Sequence, residues 1–194
     1  MRPSPTSPYG LIIQAPLMSH FIASYTRAGV FCCLKVDLSS SPHIPVEVNR
    51  YSALLIPACP GAIHDLCANA DLAQIITHFI QEKKPVCAIG HGVAGLFSAR
   101  KEDGKSWWLE DFCLTAPSLF EVGQLPDFAM LPVLPEDFIK DHGGKYTATE
   151  PDGIHVVIDR FLITGQNAES TVTAVQNLIL MCSQKQLKNL TMNK

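Results

Sequence analysis

Val86-Cys87-Ala88-Ile89-Gly90-His91-Gly92-Val93-Ala94-Gly95-Leu96 decides the fold of this chain. Its first four residues are apolar and read as a buried strand, and the small residues that follow let it turn sharply into a helix. A small-x-nucleophile-x-small pattern of this kind builds a nucleophile elbow, where strand and helix backbones come too close for larger side chains. Ala88 and Gly92 hold the small positions and Gly90 holds the apex. Cys, Ser or Thr at the apex would set a reactive atom at a helix N-terminus, where N–H groups favour a developing negative charge. Gly90 can adopt the strained backbone but has nothing to attack with.

Outward from the elbow, short apolar runs alternate with segments of helical period. This is the pattern of an α/β fold, a mostly parallel sheet covered by helices on both faces. Toward the N-terminus, Ala53 to Pro57 reads as a central strand, and the loop Ala58-Cys59-Pro60-Gly61-Ala62 follows it at the sheet's carboxyl edge. A helix is predicted over 71–82, burying Leu72, Ile75, Ile76, Phe79 and Ile80. Further upstream, Tyr9 to Gln14 reads as the first strand. Pro16 and the stripe Leu17, Phe21, Ile22, Tyr25 predict a helix ending near Gly29, and Val30 to Leu38 a second strand. Ser39 to Pro45 is turn chemistry, and Val46-Glu47-Val48 a brief edge strand.

Downstream, the elbow helix is expected to run to about Ala99, with a surface turn at 101–104 and an extended segment at 109–114. Pro126 to Pro135 reads as an irregular connection and 136–140 as a helical turn. Lys145 to Thr149 and Ile154 to Ile158 read as antiparallel strands joined around Pro151-Asp152-Gly153. Ser170 to Leu187 is the terminal helix, with Val172, Val175, Leu178, Ile179 and Cys182 on one side. The organisation expected is a flexible lead-in over 1–8, one domain over 9–187 and a frayed tail over 188–194.

The 194 residues, 47% hydrophobic and 17% charged, are enough for one domain with a substantial core. A net charge of −3 leaves no electrostatic footprint for nucleic acid, so no nucleic-acid partner is expected. No apolar run reaches the roughly 18–20 residues of a membrane span, and the proline-rich N-terminus lacks a signal peptide's apolar core. Seven cysteines, an odd number without a C-x-x-C pair, point to reduced thiols and a cytoplasmic setting. The seven histidines show no zinc-binding spacing, so neither a metal nor another cofactor is expected.

The elbow at 85–99, the Pro60-Gly61 loop and the strand-helix ending at 154–187 resemble the class I glutamine amidotransferase-like superfamily, and more closely its ThiJ/PfpI branch. The runs 52–62, 90–94 and 162–171 carry the likeness, which covers about residues 50–185. The resemblance implies a flavodoxin-like, doubly wound domain with its crevice at the carboxyl ends of the central strands. It also implies that Gly90 stands where catalytic relatives carry cysteine, and His91 where some carry a histidine base. The family's acidic residue after the first strand has no counterpart in Gln14-Ala15-Pro16, and a further histidine position corresponds to Ala116. A homodimer is the assembly implied.

The expected function is that of a non-catalytic relative whose crevice, formed by Gly61, Ala62, Gly90, His91 and Gly92, keeps an oxyanion-hole-like cradle for a small molecule or anion. A residual hydrolase or glyoxalase-like activity, using Cys59 or His91 with water, is the alternative. Gly90 to Gly95 also fits G-x-G-x-x-G, which makes nucleotide binding a second alternative. Gln166 and Asn167 are polar candidates for the pocket, although a turn at 166–170 capping the last helix explains them equally. Cys87 is a weaker thiol candidate. Of Trp107 and Trp108, one is expected in the core and the other as a lid or subunit contact.

Overall fold

The computed structural model describes residues 51–101 and 103–185 in full, and 11–15, 18–26, 29–34 and 186–192 by their backbone. Its elements are β1 (Leu11–Ala15), β2 (Met18–Thr26), β3 (Gly29–Leu34), β4 (Ala53–Ile56), α1 (Ala62–Asp65), α2 (Ala70–Gln81) and β5 (Val86–Ile89). A 3-10 helix, Gly90–Ser98, follows, then β6 (Cys113–Leu114), α3 (Leu119–Val122), α4 (Pro135–Asp141), β7 (Lys145–Tyr146), β8 (Val156–Asp159), β9 (Leu162–Gly165) and α5 (Thr171–Met192).

The main sheet has the order β1-β2-β3-β4-β5-β9-β8, and β6 and β7 form a small parallel ladder of their own. Strands β4, β5 and β9 are parallel and central, in the register Leu54↔Val86↔Leu162. They are short and buried at every position, as strands covered on both faces must be. Alternate residues divide between two cores. Leu54, Ile56, Val86, Ala88 and Leu162 join Leu72, Ile76 and Phe79 of α2 on one face. Ala53, Leu55, Cys87, Ile89 and Ile163 meet Ala174, Leu178 and Cys182 of α5 on the other. The doubly wound α/β architecture expected from the sequence is therefore present.

The N-terminal segment departs from expectation. Residues 18–26 form a strand, not a helix, and β1, β2 and β3 pair antiparallel, with Ala15↔Met18 and Thr26↔Gly29 closing the two hairpins. Phe21, Ile22, Tyr25 and Thr26 are strand formers, so the 3.6-residue stripe coincided with residues of high β-propensity. β3 ends at Leu34 and pairs antiparallel with β4. The lead-in at 1–8, the turn at 39–45 and the edge strand at 46–48 lie outside the described residues.

Three further differences are local. The partner of β8 is β9, in an antiparallel pair, whereas Lys145-Tyr146 pairs parallel with β6, so 145–149 and 154–158 do not form one hairpin. The extended segment at 109–114 shrinks to Cys113–Leu114, because Asp111 takes φ +68 in a turn. In α5 the buried stripe is Ala174, Leu178 and Cys182, Val172 is exposed, and the backbone stays helical to Met192. By contrast α2 follows its prediction apart from Ile75, which is half-buried. Asn69 caps it by accepting from Leu72 N at 2.9 Å, and Leu72, Ile76, Phe79 and Ile80 are buried.

Trp107 is 1% exposed and donates its indole N–H to Leu96 O at 2.8 Å. Its ring meets Phe138 edge-on at 5.5 Å, while Phe97 and Phe138 stack at 4.1 Å, locking the end of the 3-10 helix to α4. Trp108 packs half-buried on the same core, with its Nε1 buried. Trp107→Ala is expected to cost about 3–5 kcal/mol, the range for truncating a large buried aromatic. Urea unfolding followed by circular dichroism measures it, and a loss under about 1 kcal/mol would mean that this aromatic cluster does not hold the layers together.

Candidate functional site

Three loops leave the carboxyl ends of β4, β5 and β9 side by side, at 57–61, 90–92 and 166–167. Gly90 takes φ +54, a region that residues with a side chain enter at a cost. A Cβ built there would stand 3.1 Å from Ala58 Cβ and 3.8 Å from the carbonyl carbon of Asn167, which places all three loops around the apex. At Gly92 a Cβ would lie 2.5 Å from Pro57 O and 2.8 Å from Ile56 O, and main chain cannot move aside. At Gly95 it would press on Leu72 Cδ2 at 3.0 Å and Ile56 Cδ1 at 3.3 Å. Packing thus accounts for the second and third glycines of the G-x-G-x-x-G run, which follows β5 and not the first strand of the sheet.

Gly61 precedes α1, and its carbonyl accepts from His64 N at 3.1 Å, while Ala62 N donates to Cys59 O at 3.0 Å. Ala62 is buried and Cys59 half-buried, and α1 packs against the 3-10 helix that begins at Gly90. His91 is half-buried on that helix, with an Nε2 that is buried and has no hydrogen-bond partner among the described residues. Burial lowers its pKa below the ordinary imidazole value, and the neighbouring His64 acts the same way; Asp127 and Glu121 pull the other way without reversing it. The imidazole is therefore neutral at pH 7, with one ring nitrogen uncommitted. Cys87 faces the α5 side of the sheet, and burial pushes its thiol up to about 12, which holds it in the protonated form.

Gln166 and Asn167 are spent on structure. Gln166 Oε1 accepts from Thr149 N at 2.9 Å, and its Nε2 donates to Glu121 Oε2 and Thr149 O at 3.0 and 3.3 Å. Asn167 Oδ1 accepts from the backbone N and hydroxyl of Ser170 at 3.1 and 2.9 Å, capping the turn into α5. Its Nδ2 donates to Glu121 Oε1 and Gly153 O at 2.9 and 2.8 Å.

Glu121 is the residue that sequence reasoning passed over. Besides the two amides, its carboxylate accepts from Ser118 N, Ser118 Oγ and Asp152 N at 2.8, 3.2 and 3.3 Å. Ser118-Leu119-Phe120-Glu121 is a capping box, S-x-x-E, and that spacing was the available signal. One carboxylate thereby ties α3, the loop at 150–153 and the turn after β9 together beside Gly90. Every group around it is a donor, so an amide of the same shape would turn an N–H toward N–H groups. Glu121→Gln is expected to destabilise by about 2–3 kcal/mol, similar to Glu121→Ala. Equilibrium unfolding of the two variants checks this, and a near-neutral Glu121→Gln would refute the all-donor arrangement.

The buried His91 also gives a pH dependence. Its folded pKa is lowered, so below the ordinary value of 6.5 the unfolded chain binds a proton that the folded chain resists, and stability falls as pH drops through that region. Urea titrations across the acid range should show His91→Gln losing less stability than the parent chain. Parallel curves would mean that His91 is not held neutral.

No protein-family model matches the chain. It is 51% identical over 152 residues to human glutamine amidotransferase-like class 1 domain-containing protein 1, a match covering 78% of this chain and 69% of that protein. Among solved structures it superposes on Francisella tularensis Rapid Encystment Protein 24 KDa with a TM-score of 0.67 at 23% identity, covering 71% of this chain and 60% of the other. Glyoxalase III from Candida albicans gives 0.64 at 20%, covering 70% and 59%. A ThiJ/PfpI domain protein from Brachyspira murdochii gives 0.53 at 16%, covering 78% and 75%. The structural likenesses carry the fold alone, whereas the sequence identity carries the family, and the chain belongs to the glutamine amidotransferase-like class 1 domain-containing protein 1 family.

Proposed function

We propose that this chain is a non-catalytic member of its family, in which Gly90 stands at the position of the nucleophile and the surrounding crevice binds a small molecule or anion. The observation that carries the reading is the apex itself. Gly90 holds the positive φ of an elbow, and Ala58 Cβ sits 3.1 Å from the point where a nucleophile's Cβ would begin. That spacing is tighter than a side chain accepts without movement of its neighbour, so the loss of the nucleophile is matched by packing that has closed in. Gly61, Ala62, His91 and Gly92 supply the remaining walls, and amides at the start of the nine-residue 3-10 helix supply donors.

A residual hydrolase or glyoxalase-like activity through His91 or Cys59 is the second reading, and the uncommitted Nε2 of His91 is what favours it. In either reading the protein is placed in the cytoplasm, on the strength of its odd number of cysteines, and acts as a homodimer. No helix among the described residues is long and apolar enough to cross a membrane.

Iodoacetamide labelling followed by peptide mass spectrometry separates the readings. Under the non-catalytic reading Cys59 reacts no faster than an ordinary thiol and no 2-oxoaldehyde is consumed; fast labelling, or turnover abolished by His91→Gln, would establish the second. Gly90→Cys is expected to lose about 1 kcal/mol, because the φ and the Ala58 contact both strain it. The thiol it introduces should label fast at neutral pH, since the helix start lowers its pKa. A slow thiol there would show that the bend is not an elbow.

A further inference from the structure

We propose that Asp152 is a site of spontaneous isoaspartate formation, and that the fold directs this reaction to Asp152-Gly153 and away from the chain's other Asp-Gly step, Asp103-Gly104. In such a step the following residue's backbone nitrogen attacks the side-chain carbonyl carbon Cγ. The Cγ hydroxyl leaves as water with the amide proton, closing a five-membered succinimide. Water then adds at the main-chain carbonyl and breaks its bond to nitrogen, so the chain continues through Cβ and Cγ with its composition unchanged. The step needs an accessible carboxyl that can carry a proton, an unhindered following amide and a turn that can open.

Both Asp-Gly steps have the glycine, but the structure treats the carboxyls differently. Asp103 Oδ1 accepts from Lys105 N and Ser106 N, each at 2.8 Å, and Oδ2 accepts from Ser106 Oγ at 2.6 Å. Those bonds fix the side chain and, led by the Ser106 hydroxyl, hold its pKa below the usual carboxylate range, so the protonated form is scarce. Asp152 is exposed, and among the described residues no hydrogen bond engages its carboxyl. Its backbone sits at φ +61, a conformation that residues with a side chain rarely adopt. The amide that would attack, Gly153 N, is held to Glu150 O at 3.1 Å in a surface turn, the one bond that must open first. Gly104 N is held likewise, to Lys101 O at 2.9 Å, so the two steps differ at the carboxyl and not at the attacking amide.

Modification at Asp152 would reach the site. The Asp152 N–H donates to Glu121 Oε1, and Gly153 O accepts from Asn167 Nδ2. An extra methylene in the main chain between them cannot keep both bonds, so the carboxylate that ties α3 to the turn after β9 loses a donor beside Gly90.

The full chain, folded at neutral pH and in parallel in denaturant, is incubated and mapped by peptide mass spectrometry with isoaspartyl methyltransferase labelling. In denaturant both steps should convert. In the folded chain Asp152 should convert several-fold faster than Asp103, Asp152→Glu should remove that signal, and Ser106→Ala should raise conversion at Asp103. The aged protein, enriched for the modified form, should melt at a lower temperature than fresh protein. Equal rates at the two steps in the folded chain, faster conversion at Asp103, or no conversion at Asp152 once the denatured chain has converted would overturn the proposal.

Discussion

The contact on which the rest depends is the crossing of two backbones, where Gly92 lies under the end of β4. The space between its Cα and the carbonyls of Ile56 and Pro57 holds no methyl group. Because the helix start is pressed onto β4, the apex at Gly90 is lifted into the gap between β4 and β9, and the loops after all three central strands converge there. Ridge-and-groove packing alone would keep helix and sheet farther apart; only glycine allows this approach. A side chain at 92 would push the helix start off β4 and the apex outward.

Above that crossing, polar bonds do what apolar packing cannot do at a surface. Glu121 collects donors from its own capping box and from two segments remote in sequence, and Asn167 and Gln166 spend both amide hydrogens on acceptors that include it. The two side chains that looked like pocket groups are therefore committed to holding these loops together. His91 differs from them, with a buried Nε2 that has no hydrogen-bond partner among the described residues.

What the sequence made legible follows from physics that acts locally. β4, β5, α2 and the elbow could be read because a strand buried on both faces is apolar throughout, a capped amphipathic helix repeats its stripe, and a strained turn demands small residues at fixed spacing. Segment 18–26 could not be read that way, because Phe21, Ile22 and Tyr25 satisfy a helical stripe and a strand composition at once, and pairing with β1 and β3 decides between them. The pairing of β8 with β9 was similarly hidden, since Lys145 to Thr149 offers an equally good strand pattern nearby. In the site, Gly90 and Gly92 were visible as backbone requirements. Glu121 was visible only as a cap, since its other partners come from residues thirty or more positions away.

The order of strands carries a kinetic consequence. β1, β2 and β3 are joined by hairpins and can zip from local contacts, whereas the pairing of β9 with β5 closes the long stretch from the elbow through α4 and β7 and is expected to be slower. Until then the amides and carbonyls along one side of β5, a strand apolar at every position, have no partner in the sheet. Assembly of the sheet is thus asymmetric in time, with an early N-terminal half and a late C-terminal one. The interval between them is when an unpaired β5 is open to a strand from another molecule, which makes synthesis and refolding, not the finished protein, the stage most exposed to aggregation.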